Sequence, residues 1–270
     1  MSNVEVLSSG LASQDLVSQA ELAELFRLKY GSAEPTGWGP RMRGRFHHFT
    51  PDDYYEAAVA KLVTHDCNWL DVGCGRHIFP SNARLAKMLA DRCALLVGVD
   101  PDVTVNENAF VHQRVNSHIE DYHSDRPFDL VTLRMCAEHV AEPDRALDAL
   151  THLTRPGGKV IIYTINRWSP VPIVTRLVPF WLHQPIKRVL WKTEEADTFP
   201  VSYLMNTRKD LSRLFQRHGF KEFHFEYLDD CRTSSRFWVG QQIELAAWKF
   251  LKTLGLRYPE NCLLGIYERL

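Results

Sequence analysis

The chain has 270 residues, 45 % hydrophobic and 24 % charged, with a formal net charge of −1. That length can bury a full α/β core without a disulfide or metal staple, and the balanced charge removes any overall field toward nucleic acid or anionic lipid. Cys67, Cys74, Cys93, Cys136, Cys231 and Cys262 form no CxxC pair and no zinc spacing, so no metal is expected and the thiols read as the reduced thiols of a cytoplasmic protein.

The N-terminal "MSNVEVLSSGLASQDL" lacks a basic region and a long apolar run, and no stretch reaches the ~20 apolar residues a spanning helix needs. "SQDLVSQAELAELFRLKYG" has helical apolar spacing with Gly31 as its stop. "SAEPTGWGPRMRGRFHHFTPDD" is rich in Gly, Pro and Arg and reads as a loop, followed by a helix over "PDDYYEAAVAKLV". Residues 1–64 are therefore expected to form a helical lid segment. From Asn68 the pattern becomes short apolar strands separated by helices: "NWLDVG", "CALLVGVD", "AFVHQRV", "FDLVTLR" and "GKVIIYTI", with "NARLAKMLADR" and "EPDRALDALTHLT" among the connections. Such alternation implies a parallel sheet with right-handed crossovers and helices on both faces, over residues 65–165. Residues 166–209, apolar and broken by prolines, read as a cap inserted after strand five. Over 210–270 the core resumes with a helix, the strand "FKEFHFEYL", a helical insert around "QQIELAAWKFLKTLG" and the last strand "CLLGIYERL". The expected fold is α/β, a seven-stranded, mostly parallel sheet.

The stretch "WLDVGCGRHIFP" carries the chemistry. Gly73 and Gly75 let the backbone turn tightly and approach a ligand, and Asp71 and Asp100 close consecutive strands. A carboxylate where Asp100 stands can bind both hydroxyls of a ribose. Asp71, just before the glycines, repels a pyrophosphate and suits an ammonium-bearing ligand, which argues against a dinucleotide.

With "LDVGCG", "VGVDP", "FDLVTLRMCAEHVAEPDRALDALTHLTRPGGKVIIYT" and "CLLGIYER" in this order, the chain resembles the class I S-adenosylmethionine-dependent methyltransferases, most nearly the small-molecule group that includes the ubiquinone and menaquinone biosynthesis enzymes. The resemblance implies a Rossmann-like fold with S-adenosylmethionine as cofactor. Asp71, Gly73 and Gly75 then hold the methionine part and Asp100 the ribose. It also implies an adenine contact near Ser117 and Ile119, and a backbone contact at Leu133 and Arg134. The loop after the glycines is longer than the family's, and "RHIFPSN" delays the next helix to about Ser81 or Asn82. With that helix N-terminus displaced, Arg76 is expected to supply the methionine carboxylate with a charged contact.

Methyl transfer from a sulfonium needs positioning and dryness above all, and oxygen acceptors gain from a base. His139, His183 and His48 are the candidates, although Glu138 and His139 also suit a hydrogen-bonded pair at a helix start. The acceptor is expected to be a small molecule methylated on oxygen: a natural product, sugar or quinone-like metabolite. Alternatives are cyclisation or aminocarboxypropyl transfer releasing methylthioadenosine, and a cofactor-binding module without turnover. Nucleic acid is not expected as a partner, for want of a basic excess or an NPPY-type motif. The prolines of "VPIVTRLVPFWLHQPIKRVLWK" favour a buried cap over a helix lying on a membrane surface.

Overall fold

A computed structural model of the chain describes residues 16–31, 37–170, 172–173 and 201–270. Its elements in chain order begin with the helices α1 (Gln19–Tyr30), α2 (Trp38–Phe46) and α3 (Pro51–Leu62). The core follows as β1 (Asn68–Val72), α4 (Ala83–Arg92), β2 (Leu95–Asp100), β3 (Gln113–Asn116), β4 (Phe128–Arg134), α5 (Pro143–Leu153) and β5 (Thr154–Ile165). The chain ends with α6 (Arg208–Arg217), β6 (Phe220–Asp229), α7 (Trp238–Thr253) and β7 (Glu260–Arg269). The seven strands form one sheet in the order β3-β2-β1-β4-β5-β7-β6, and β7 runs antiparallel to both its neighbours.

Alternation along the strands splits the core into two layers. Trp69, Leu96, Leu130 and Ile161 pack against α1, α3 and α4 on one face, while Leu70, Val97, Val131 and Val160 pack against α5 and α6 on the other. Capping boxes start α1 at Ser18 with Glu21 and α3 at Thr50 with Asp53, with Pro51 in the first turn of α3.

Three stretches depart from the sequence expectation. Residues 38–46, expected as a loop, form α2 despite Gly39, Pro40 and Gly44. No side chain caps this helix at Gly37, and its order comes from Met42 buried against Leu245 and Trp248 of α7. Strand β3 is shorter than "AFVHQRV", because the Leu96 N–H donates to the His112 Nδ1 ring atom at 3.0 Å instead of to a neighbouring strand carbonyl. Strand β5 starts earlier, at Thr154, and accommodates "RPGG" through a register shift against β4, with Gly157 at φ +74°. Among the described residues no helix is long and apolar enough to cross a membrane.

Candidate functional site

The carboxyl ends of β1, β2 and β4 meet at the glycine turn. Gly73 has φ +69° and donates its N–H to Val99 O at 2.8 Å; a Cβ placed there would stand 2.7 Å from Cys136 Cβ. Only glycine fits that combination of left-handed backbone and close approach. Gly75, with φ +43°, donates its N–H to Asp100 Oδ2 at 2.8 Å, and the Asp102 N–H donates to Asp100 Oδ1 at 2.8 Å. The carboxylate that ends β2 is thus fixed by two amides, and each oxygen keeps a lone pair for another donor. Asn108 Nδ2 closes the turn by donating to Gly75 O at 3.0 Å.

Asp71 lies beneath this turn, 2 % exposed. Trp69 Nε1 donates to Thr132 Oγ1 at 2.7 Å, and Thr132 Oγ1 donates to Asp71 Oδ1 at 2.6 Å. Burial pushes the Asp71 carboxyl up to about 7, against the hydrogen bond from Thr132 and the charge of Arg134. Tyr55, fully buried and stacked on Tyr163 with ring centroids 5.2 Å apart, has an unpartnered hydroxyl.

Arg134 ends β4 and donates from Nη2 to Asp52 Oδ1 at 3.0 Å; Arg232 Nη1 donates to Asp52 Oδ2 at 2.9 Å. Arg232 also grips Asp230, with Nε and Nη2 at 2.8 and 2.7 Å. The four residues form a charged ladder along the carboxyl edge from β4 to β6, and it ties α3 over the strand ends. Burial raises the Asp52 carboxyl, but Arg232 and Arg134 together hold it below the usual range. Sequence reasoning missed Asp52 and Arg232, because no spacing connects residues 52, 134, 230 and 232.

The other expected residues are scattered around this frame. The Ser117 N–H donates to Asp100 O at 3.1 Å, and Ile119 is buried at the turn that follows β3, so both lie beside the Asp100 end of the site. The loop after the glycines does postpone the helix: α4 starts at Ala83 with Asn82 as its cap. Arg76 Nε lies 2.8 Å from Glu107 Oε2 in an exposed pair, 57 % and 61 % accessible, beside the segment after β2. His139 is half-buried just past β4. Its neighbour Glu138 accepts from Thr164 Oγ1 at 2.7 Å, and the Glu138 carbonyl accepts from the N–H groups of Ser202 and Tyr203. His48 is buried at the β6 end of this edge. It is 1 % exposed, with Nε2 3.3 Å from Asp229 Oδ1, and it meets Trp248 edge-on at 4.8 Å. His183 lies outside the described residues. No group of side chains able to hold a metal occurs among the described residues. A recess of about 190 Å³ lies farther along the carboxyl edge, lined by Tyr227, Asp229, Trp248 and Tyr258 among others.

A family described as a methyltransferase domain matches residues 21–224. The ubiquinone biosynthesis O-methyltransferase of Photorhabdus laumondii is 35 % identical over 106 residues, 36 % of this chain and 42 % of that protein. The enzyme of the same name from Saccharophagus degradans is 32 % identical over 177 residues, 58 % and 66 % of the two chains. The match to the first of these therefore spans less than half of that relative's length. Among solved structures, a chain in the complex of the Haloferax volcanii Trm112 methyltransferase activator superposes with a TM-score of 0.52 at 13 % identity, covering 93 % of this chain and 98 % of that one. This last likeness is one of fold.

Proposed function

The chain belongs to the methyltransferase-domain family, and from that membership we propose that it transfers the methyl group of S-adenosylmethionine to an oxygen of a small-molecule acceptor, quinone-like in the manner its curated relatives' names suggest. The observation that carries this reading is the Gly75 N–H to Asp100 bond, which holds a ribose-type carboxylate against a glycine turn too tight for any Cβ at Gly73.

The residues present fit the cofactor. Asp100 has lone pairs left for two ribose hydroxyls, and Gly75 leaves open the space a side chain would fill. Asp71, buried and fully ionised only above neutrality, gains from an ammonium placed beside it. Ser117 and Ile119 supply the adenine side, and the turn after Arg134 the methionine end. When bound, the cofactor supplies a methyl already activated on a sulfonium. The protein's part is to hold the acceptor in line and exclude water, which α3 serves by its clamp onto Arg134 and Arg232 through Asp52. Of the three histidines, His139 is the base in this proposal, because it lies in the short turn Ala137–His139 just beyond β4; it takes the proton of the acceptor hydroxyl. The six free thiols, five of them buried, fit a reducing compartment such as the cytoplasm.

Thermal unfolding with S-adenosylmethionine, adenosylhomocysteine and NAD tests the cofactor assignment. A ligand at about 100 times its Kd adds ~2.7 kcal/mol, so the two sulfur compounds should raise Tm by several degrees and NAD should not. Chromatography of the products then checks the reaction: adenosylhomocysteine supports methyl transfer, and methylthioadenosine sinks it.

A further inference from the structure

Helix α7 joins β6 to β7 and buries only one side. Gln241, Leu245 and Trp248 face the protein and are at most 6 % exposed. The opposite side is apolar as well: Val239 is 58 % exposed, Ile243 65 %, Phe250 62 % and Leu254 56 %. These four recur at intervals of 4, 7 and 4 residues, which lines them up along one outer stripe with the exposed Ala246 and Ala247 between them. A helix with apolar residues on both sides ordinarily has both sides covered.

The charge around the stripe says by what. Residues 231–259 contain a single acid, Glu244, and it is engaged by the Ser234 N–H at 2.9 Å and the Tyr258 hydroxyl at 3.1 Å. Apart from Arg232, which Asp230 and Asp52 hold, the cations remain at the surface. Lys249 and Lys252 are exposed along the helix, Arg257, 81 % exposed beyond its end, pairs with Glu260 at 3.4 Å, and Arg41 and Arg45 are exposed on α2, which packs beside it. Trp238, 54 % exposed, stands at the first turn, where an amphipathic ring suits a lipid–water boundary. A second copy of the chain fits poorly, because a two-fold contact would set Lys249, Lys252, Arg41 and Arg45 against themselves, and the acids at the patch, Glu244 and Glu260, are already engaged.

We propose that α7 lies on an anionic lipid surface, with the Val239–Ile243–Phe250–Leu254 stripe among the acyl chains and its lysines, with Arg41 and Arg45, at the headgroups. The inference concerns where the protein works and does not depend on the reaction assigned above.

The test is co-sedimentation of the full chain with vesicles of phosphatidylcholine alone and of phosphatidylcholine mixed with phosphatidylglycerol. Binding is expected to the mixed vesicles only, and to weaken as salt is raised. The double variant Ile243→Glu, Phe250→Glu should bind at least about tenfold less, and Arg41→Glu with Lys249→Glu should remove the preference for phosphatidylglycerol. Each variant should keep the wild-type unfolding midpoint and its shift with S-adenosylmethionine, so a loss of vesicle binding is separated from misfolding and from failure of the cofactor assignment. Equal binding by the double variant and wild type, or no binding by wild type, overturns the proposal. So does light scattering that shows a wild-type dimer which the double variant dissolves, because the face is then covered by a second copy.

Discussion

The amide of Gly75 and the carboxylate of Asp100, 25 residues apart in sequence, are joined by a 2.8 Å hydrogen bond. The glycine turn and the acid that ends β2 are therefore one preassembled unit. Asp100→Ala removes the acceptor for the Gly75 and Asp102 amides together with the ribose contact. With charge-assisted bonds contributing about 1.5–3 kcal/mol, S-adenosylmethionine Kd should rise tenfold or more. Isothermal calorimetry reads this directly, and an unchanged Kd would remove Asp100 from the site.

Gly73→Ala places a methyl 2.7 Å from Cys136 Cβ on a backbone at φ +69°. The overlap and the left-handed backbone together should cost about 2 kcal/mol or more and lower Tm by several degrees. Adding Cys136→Gly removes the clash but leaves the unfavourable φ, so partial recovery of Tm is expected; complete recovery would mean the backbone at Gly73 is not constrained.

Asp71 gives a pH dependence with a definite sign. Its folded-state carboxyl sits near 7 and its unfolded one near 3.8, so the folded state binds the proton more tightly. The associated stability is fully present below about pH 3.8 and is lost as pH rises toward 7. An ammonium beside Asp71 favours the ionised form, so S-adenosylmethionine affinity should strengthen from pH 6 to pH 8. Asp71→Asn should flatten that profile; a profile that keeps its slope in the variant would assign it to another group.

Lys29 reaches from α1 into a buried site, with Nζ 3.0 Å from Asp53 Oδ1 and 2.9 Å from Glu56 Oε1, while Asn82 Nδ2 donates to Glu56 Oε2 at 2.7 Å. Burial opposes the lysine's charge, yet the two carboxylates keep its pKa above the usual value. Lys29→Met strands those acids and should lower stability by about 3–5 kcal/mol at neutral pH. Burial raises the Glu56 carboxyl, so Glu56 takes up a proton more readily than an ordinary glutamate and the deficit should shrink at pH 5. Equal deficits at pH 5 and pH 8 in thermal melts would contradict this account of α1 docking.

His139→Gln should reduce kcat by about 10²-fold or more, the usual contribution of a general base, with S-adenosylmethionine Kd unchanged. A variant with wild-type kcat would return His139 to the structural pairing seen at its neighbour Glu138.

The sheet and the glycine turn with its neighbouring acids were legible in the residues because their signals are local. Strand periodicity, the two glycines and the acids at the ends of β1 and β2 each depend on a few consecutive positions, and the late start of α4 followed from the length of "RHIFPSN". Arg76 shows the limit of such reasoning: loop length pointed to the residue, but no local pattern reveals its pairing with Glu107.

The sequence by itself thus determined the succession of strands and helices from Asn68 onward, the glycine turn and the carboxylates beside it, since backbone conformation and side-chain alternation are set by neighbouring residues. Tertiary structure alone decided that "GWGPRMRGRF" is a helix, that His48 is buried beside Asp229, that Asp52 meets Arg232 across 180 positions, and that α7 turns one apolar stripe outward. The physical reason is that charge pairing and burial depend on which surfaces meet after folding, and intrinsic propensities as weak as those of Gly39, Pro40 and Gly44 are overruled by that packing.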